Sequence, residues 1–173
     1  VDFFNRWAVD EIVILDVSKN QKQRQKFYEV VSGLSSKCFV PLTVGGWVDS
    51  IEEVRKLLRL GADKVTVNTE AVRRPALISE CAGVFGSQCI VASIDVKNHG
   101  NNEYEVFIDR GSEPTGLLPL QWARQVEELG AGEIFLNCIE RDGFRQGYDL
   151  ALLRSVVQAV HIPVIAMGGV LTW

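Results

Sequence analysis

No two of the four cysteines, Cys38, Cys81, Cys89 and Cys138, stand at a CxxC or other zinc-ligand spacing. Each lies in an apolar segment, so small buried thiols in a reducing, cytoplasmic setting are the expectation. Only two histidines are present, His99 and His161, and neither has a partner at a ligand spacing, so no metal is expected. His161 falls where a helix should end, which suits a surface position. No apolar run reaches membrane-spanning length, and no signal-peptide pattern opens the chain. Basic residues form no stripe: 18 Lys and Arg interleave with 22 Asp and Glu for a net charge of −4, which argues against nucleic acid as a partner. The clusters "KNQKQRQK" and "RR" read as solvated helix faces. No GxGxxG follows an apolar run, which counts against a dinucleotide fold.

What is present is a core. Hydrophobic residues make up 47% of the 173, enough to predict one domain over 1–173. "EIVILDV" (Glu11 to Val17) reads as a buried strand, with a polar helix from about Gln21 to Leu34. "CFVPLTV" is the second strand and ends at Gly45-Gly46. "SIEEVRKLLRL" is a helix with Ser50 and Glu53 as a capping box and Gly61 as its stop. "DKVTVNT" is the third strand, with a helix from near Pro75. "CIVASIDVK" is the fourth, followed by two short alternating segments around Asn101-Asn102 and Gly111 that predict a hairpin. A helix over Leu120 to Leu129 leads to strand "EIFLNCI", the loop "ERDGFRQG", helix "DLALLRSVVQAV" and strand "IPVIAM".

Six strands, apolar on both faces and alternating with helices, predict a covered parallel sheet. Polar residues and glycines follow nearly every strand: Asp16, Gly45-Gly46, Asn68-Thr69, Asp95, Asn137, Asp142-Gly143 and Gly168-Gly169. Many strand ends feeding one rim is the pattern of a (β/α)8 TIM barrel. A full barrel takes about 250 residues, so the chain reads as a barrel truncated to about six βα units. It begins at Val1 inside what reads as an amphipathic helix, "VDFFNRWAVD", and stops at Trp173, so the first and last strands are expected to be missing.

"VPLTVGG" and "IPVIAMGG" repeat one strand-to-glycine junction. Paired glycines let backbone N–H groups approach an anion, and two such cups would suit a substrate with a phosphate at each end. Sharp turning alone would also explain them. Asp95 is read as a general acid or base, or as a turn cap. Asn68-Thr69 could hold phosphate or cap the next helix. Asp142 could be a second acid or a turn former.

"TVGG…GADKVTVNT", "FGSQCIVASIDVK", "TG…W…VEELGAGEIFLNCIERDG…GYD" and "IPVIAMGG" together resemble HisF, the cyclase-subunit family of imidazole glycerol phosphate synthase, from about Asp10 to Gly169. The resemblance implies a (β/α)8 barrel, without cofactor, that receives ammonia from a glutaminase partner docked on its bottom face. The substrate implied is a bisphosphorylated ribulosyl-formimino-carboxamide ribonucleotide of histidine biosynthesis. Ammonia attack, ring closure and cleavage give imidazole glycerol phosphate and an aminoimidazole carboxamide ribotide, a lyase reaction. Of the family's two acid–base aspartates, one matches Asp95, and the first-strand one has no counterpart here. Gly45, Gly46, Asn68 and Thr69 match one phosphate site. Gly143, Gly168 and Gly169 match part of the other, and Asp142 matches a sixth-strand loop position. Glu11, Lys64 and Glu133 match charges ringing the ammonia entrance, though paired rim charges would look the same.

Three positions depart from the family. Trp47 stands where a third glycine is usual, Glu140 where Asp is usual and Phe144 where Thr is usual. An indole at 47 would crowd the first phosphate, which raises the alternative of a relative that amidates surface-polysaccharide sugars. With one catalytic aspartate lacking, this chain alone is expected to be inactive. A third reading is a non-catalytic partial barrel that self-associates as a homo-oligomer to cover open strand edges.

Overall fold

The computed structural model describes residues 7, 9–100 and 103–171. The expected N-terminal helix falls almost wholly outside the described residues, as do Asn101 and Asn102 at the predicted hairpin turn. The chain divides into two compact units, Val1–Val67 and Asn68–Trp173.

In the first unit, β1 (Ile12–Leu15), β2 (Leu42–Gly45) and β3 (Lys64–Val67) pair in parallel, with Ile12 opposite Leu42 and Thr43 opposite Lys64. Helices α1 (Arg24–Ser35) and α2 (Ile51–Arg59) supply the crossovers. All four residues of β2 are buried, as a parallel strand covered on both faces requires. Val31, Leu42, Val44, Val54, Leu57 and Val65 form the unit's core.

β2 starts later than the run "CFVPLTV" suggests. Pro41 has no N–H for a ladder, and Phe39 before it is 86% exposed. The helix expected from Gln21 opens with a 3-10 turn over Gln21–Gln23, capped by Asn20. Half of the expected capping box forms. The Ser50 hydroxyl accepts from the Glu53 N–H at 3.3 Å, but the Glu53 carboxylate turns to Arg24 and Tyr28 instead.

The second unit begins with a short helix that sequence reading did not foresee, α3 (Thr69–Arg73), then α4 (Ala76–Phe85) behind Pro75. β4 (Ile90–Asn98), β7 (Glu133–Cys138) and β8 (Val164–Met167) pair in parallel, with Ala92 opposite Ile134 and Ile134 opposite Val164. The crossovers carry α5 (Pro119–Glu128) and α6 (Leu150–Ala159). Between β4 and α5 lies the predicted hairpin: β5 (Tyr104–Ile108) runs antiparallel to β4, and β6 (Glu113–Pro114) antiparallel to β5. Leu77, Ile90, Ile94, Trp122, Ile134 and Leu152 fill this unit's core.

The hairpin is tied at several points. The Thr69 hydroxyl accepts from the Asp109 N–H at 3.0 Å, and Arg73 pairs with Glu113 at 2.6 Å. Tyr104 donates to the Asp149 carboxylate at 3.0 Å, while the other oxygen of Asp149 caps α6. Burial and the adjacent Asp149 charge push the Tyr104 hydroxyl up to about 12.

Among the described residues, three parallel strands joined through helices in each unit, with one hairpin inserted in the second, are the β/α organisation of a partial (β/α)8 TIM barrel. The cysteines are all free; Cys81 and Cys138 are buried, whereas Cys38 and Cys89 are only partly so. The His161 ring is exposed just beyond α6, 3.6 Å from Glu127. Among the described residues no cluster could hold a metal ion, and no helix is long and apolar enough to cross a membrane.

Candidate functional site

Asp95 lies on β4 in register with Asn137 on β7, which in turn faces Met167 on β8. Parallel pairing therefore aligns three strands at one level, and the Asn137 amide donates to Asp95 Oδ1 at 3.2 Å. Asn68 precedes α3 but makes no side-chain cap. Its amide donates instead to the Ser93 hydroxyl at 3.3 Å and also hydrogen-bonds Asp95. Of the two sequence readings for Asn68, capping is thus the one the geometry does not use. Thr69 is occupied by the hairpin, although its hydroxyl proton remains available.

Burial raises the Asp95 carboxyl above the usual carboxylate range. The hydrogen bonds from Asn137 and Asn68 pull it partly back, and the negative charge of Asp142 pushes it up. Two amide donors and one repelling carboxylate are a balanced setting for a group that must both give and take a proton. Asp142 itself is exposed, its N–H bonded to the Cys138 and Ile139 carbonyls. Gly143 follows at φ +76°, with open space where a side chain would be. Phe144 is exposed, and Glu140 accepts from the Asn98 N–H at 2.8 Å.

Both glycine pairs seat against protein backbone. Gly168 has φ +87°, and a Cβ there would stand 2.5 Å from the Cys138 carbonyl oxygen and 3.2 Å from Asn137 Oδ1. Gly169, at φ +99°, abuts Gly147 and the side chain of Arg141, which donates to the Gly147 and Tyr148 carbonyls. In the first unit a Cβ on Gly45 would collide with Thr66, and one on Gly46 with the Asp16 backbone. Close seating of strand ends is therefore a sufficient reason for all four glycines. We expect Gly168→Ala to cost about 1–3 kcal/mol through the positive φ and the blocked carbonyl, read from urea unfolding midpoints.

Trp47 is the departure with a visible consequence. It sits at φ 55°, a conformation that glycine adopts at no steric cost. Its indole N–H donates to the Ser18 carbonyl at 3.2 Å, so the ring lies toward the loop after β1. That loop is braced from below. Asp16 accepts from the Ser18 N–H at 3.0 Å and pairs with Arg24 at 3.0 Å. Burial would raise the Asp16 carboxyl, but Ser18 and Arg24 outweigh it and hold it below the usual range. Glu11 and Lys64 form a half-buried pair at 3.0 Å, and the Thr43 hydroxyl also donates to Glu11. Glu133 opens β7 in the second unit, opposite Val91.

Sequence reading assigned no role to Ser93 or to the Arg24 network. Ser93 carries a faint signal, a polar residue two positions before Asp95 and so on the same face of the strand. Asn137 was visible only as one polar strand end among several. Arg24 was hidden in a basic cluster read as solvated, yet it is buried.

The sequence pattern of the family described as "Histidine biosynthesis protein" matches residues 1–173. The chain is 46% identical to imidazole glycerol phosphate synthase subunit HisF of Alkaliphilus metalliredigens (strain QYMF), over 166 residues that are 96% of this chain and 66% of that protein. It is also 46% identical, over 170 residues, to a protein of Vibrio vulnificus (strain YJ016) provisionally named imidazole glycerol phosphate synthase subunit hisF2. That match covers 98% of this chain and 62% of the relative. The chain spans somewhat less than two thirds of the length of these curated relatives. It belongs to the histidine biosynthesis protein family.

Proposed function

We propose that this chain is part of a HisF-like cyclase, which uses ammonia to close and cleave a bisphosphorylated ribulosyl-formimino-carboxamide ribonucleotide. The observation that carries the reading is Asp95, a partly desolvated carboxyl held by two amides at the level where three parallel strands align. A carboxyl raised by burial keeps a protonated fraction closer to neutral pH. It can donate to the ketose oxygen as ammonia adds, then accept a proton from nitrogen as the ring closes. Asp142, acting on Asp95 by charge, would favour the protonated form and so help keep the acid available.

Gly45 and Gly46 in the first unit, and Asn68, Thr69, Gly143, Gly168 and Gly169 in the second, are proposed phosphate contacts. Glu11, Lys64 and Glu133 are proposed to mark an ammonia entrance, served by a glutaminase partner in the cytoplasm. The partly buried Glu11–Lys64 pair suits such a rim. The test is ammonia-dependent turnover of the bisphosphate by the protein that carries this chain, with and without Asp95→Asn. Absence of turnover in the unsubstituted protein would sink the proposal.

A second reading, amidation of a surface-polysaccharide sugar, draws on Trp47. Trp47→Gly should relieve the left-handed backbone by about 1 kcal/mol and open space beside Gly46. If the histidine-pathway bisphosphate is the ligand denied by the indole, titration calorimetry should show tighter binding to Trp47→Gly. Unchanged or weaker binding would remove the support for this reading.

A further inference from the structure

Asn137 presents an imbalance within the Asp95 site. Its nitrogen donates to Asp95 Oδ1 at 3.2 Å. Its own oxygen is buried and has no hydrogen-bond partner among the described residues. A buried amide oxygen left without a donor is costly, and native interiors rarely retain one without a reason. A Cβ added to Gly168 would stand 3.2 Å from that oxygen, so it faces the Gly168 backbone.

We infer that Asn137 is a positioning residue for Asp95 whose side-chain amide turns over with that carboxyl's protonation, offering nitrogen to the carboxylate and oxygen to the carboxylic acid. An uncharged amide can serve both forms from a single site, because it carries donor and acceptor on one carbon. Threonine or serine could also switch, but from one atom. Aspartate would repel, and leucine would serve neither state. In the orientation observed, the carboxylate is satisfied and the amide oxygen is stranded. Rotation by half a turn would give the protonated carboxyl an acceptor and carry the NH2 toward Gly168. Each state of Asp95 therefore keeps a hydrogen-bond partner through a catalytic cycle, with no movement of the backbone.

The surroundings are otherwise quiet. β5 presents Phe107 opposite Asp95, and the Lys97 ammonium on β4 lies 5.3 Å from the centre of that ring. Asn68 approaches from ahead of α3 and also donates to Asp95. Asp142, from the loop after β7, adds a negative charge that favours the protonated Asp95 carboxyl.

The inference rests on reading Asp95 as the acid–base group. Its test is spectroscopic and involves no turnover, so either idea can fail while the other stands. In the unsubstituted chain, labelled with 13C at aspartate carboxyls and 15N at asparagine side chains, pH titration should give Asp95 and the Asn137 amide one shared midpoint. Nuclear Overhauser contacts from the Asn137 NH2 to the Gly168 α-protons should strengthen as pH falls through that midpoint. In Asp142→Asn both midpoints should move down together, and in Asp95→Asn the Asn137 response should disappear. An Asn137 amide whose contacts stay constant while Asp95 titrates would overturn the inference. So would a pH response of Asn137 that survives Asp95→Asn.

Discussion

Asp95→Asn should abolish ammonia-dependent turnover and, at neutral pH, leave the protein more stable than before. The two effects share a cause. Burial raises the Asp95 carboxyl above its unfolded value, so the native state favours the protonated form. Stability from such a group is fully present below the unfolded carboxylate pKa and is lost as pH rises through the raised folded value. At pH 7 the native protein therefore carries an unfavourable buried charge, which asparagine removes while keeping nearly the same shape. The thermal midpoint should rise by a few degrees, the shift that about 1 kcal/mol produces in a chain of this size. The gain should shrink toward zero as pH falls below about 4, where aspartate is neutral in both states. Turnover should fall by at least about 100-fold, the lower end of what general acid–base groups contribute. A variant that loses stability at pH 7, or that keeps its turnover, would separate Asp95 from the role given to it.

The second large effect lies in the first unit. Arg24→Ala should destabilise by about 3–5 kcal/mol, the range found when a buried ion pair loses one partner. Arg24 is 8% exposed, bonded to Asp16 at 3.0 Å and to Glu53. Burial alone would favour the neutral form, but Glu53, Tyr28 and Asp16 together hold the guanidinium more firmly charged than usual. Its Cζ also lies 4.8 Å from the Phe27 ring centre and 5.1 Å from that of Tyr28. Removing it would strand two carboxylates that it now neutralises. Arg24→Lys should recover only part of the loss, because an ammonium cannot present a planar fork to both. The triple change Arg24→Met, Asp16→Asn and Glu53→Gln should lose less than Arg24→Ala, since no charge is left unpaired. Urea unfolding at pH 7 reads all three. If Arg24→Ala costs under about 1 kcal/mol, the cluster behaves as an exposed one.

These residues also show where sequence reading reached and where it stopped. The strands were legible because β-branched, two-faced apolar runs leave few alternatives, and "EIFLNCI" and "CIVASIDVK" form β7 and β4 to within one residue at each end. The hairpin was legible from its alternation and glycine. Boundaries failed where tertiary contacts outranked local signals. Glu53 left its capping role for Arg24, and Pro41 postponed β2 despite the apolar residues before it. Arg24 looked solvated because helix periodicity does not reveal that two carboxylates, one of them on another helix, will converge on the same face. Asp95 was legible as a strand-end acid and through family resemblance. Its partner Asn137 was not, because register across parallel strands separated by a hairpin and a helix is set by packing rather than by local pattern.

The inserted hairpin has a kinetic consequence. In this second unit the parallel pairings of β4 with β7 and β7 with β8 must each wait for a helical crossover to close. The antiparallel contacts of β5 with β4 and β6 need only their near neighbours in the chain, and hairpins of this kind zip in about 1–10 μs. The excursion should therefore be ordered before the sheet around it, offering β4 a ready edge before β7 arrives.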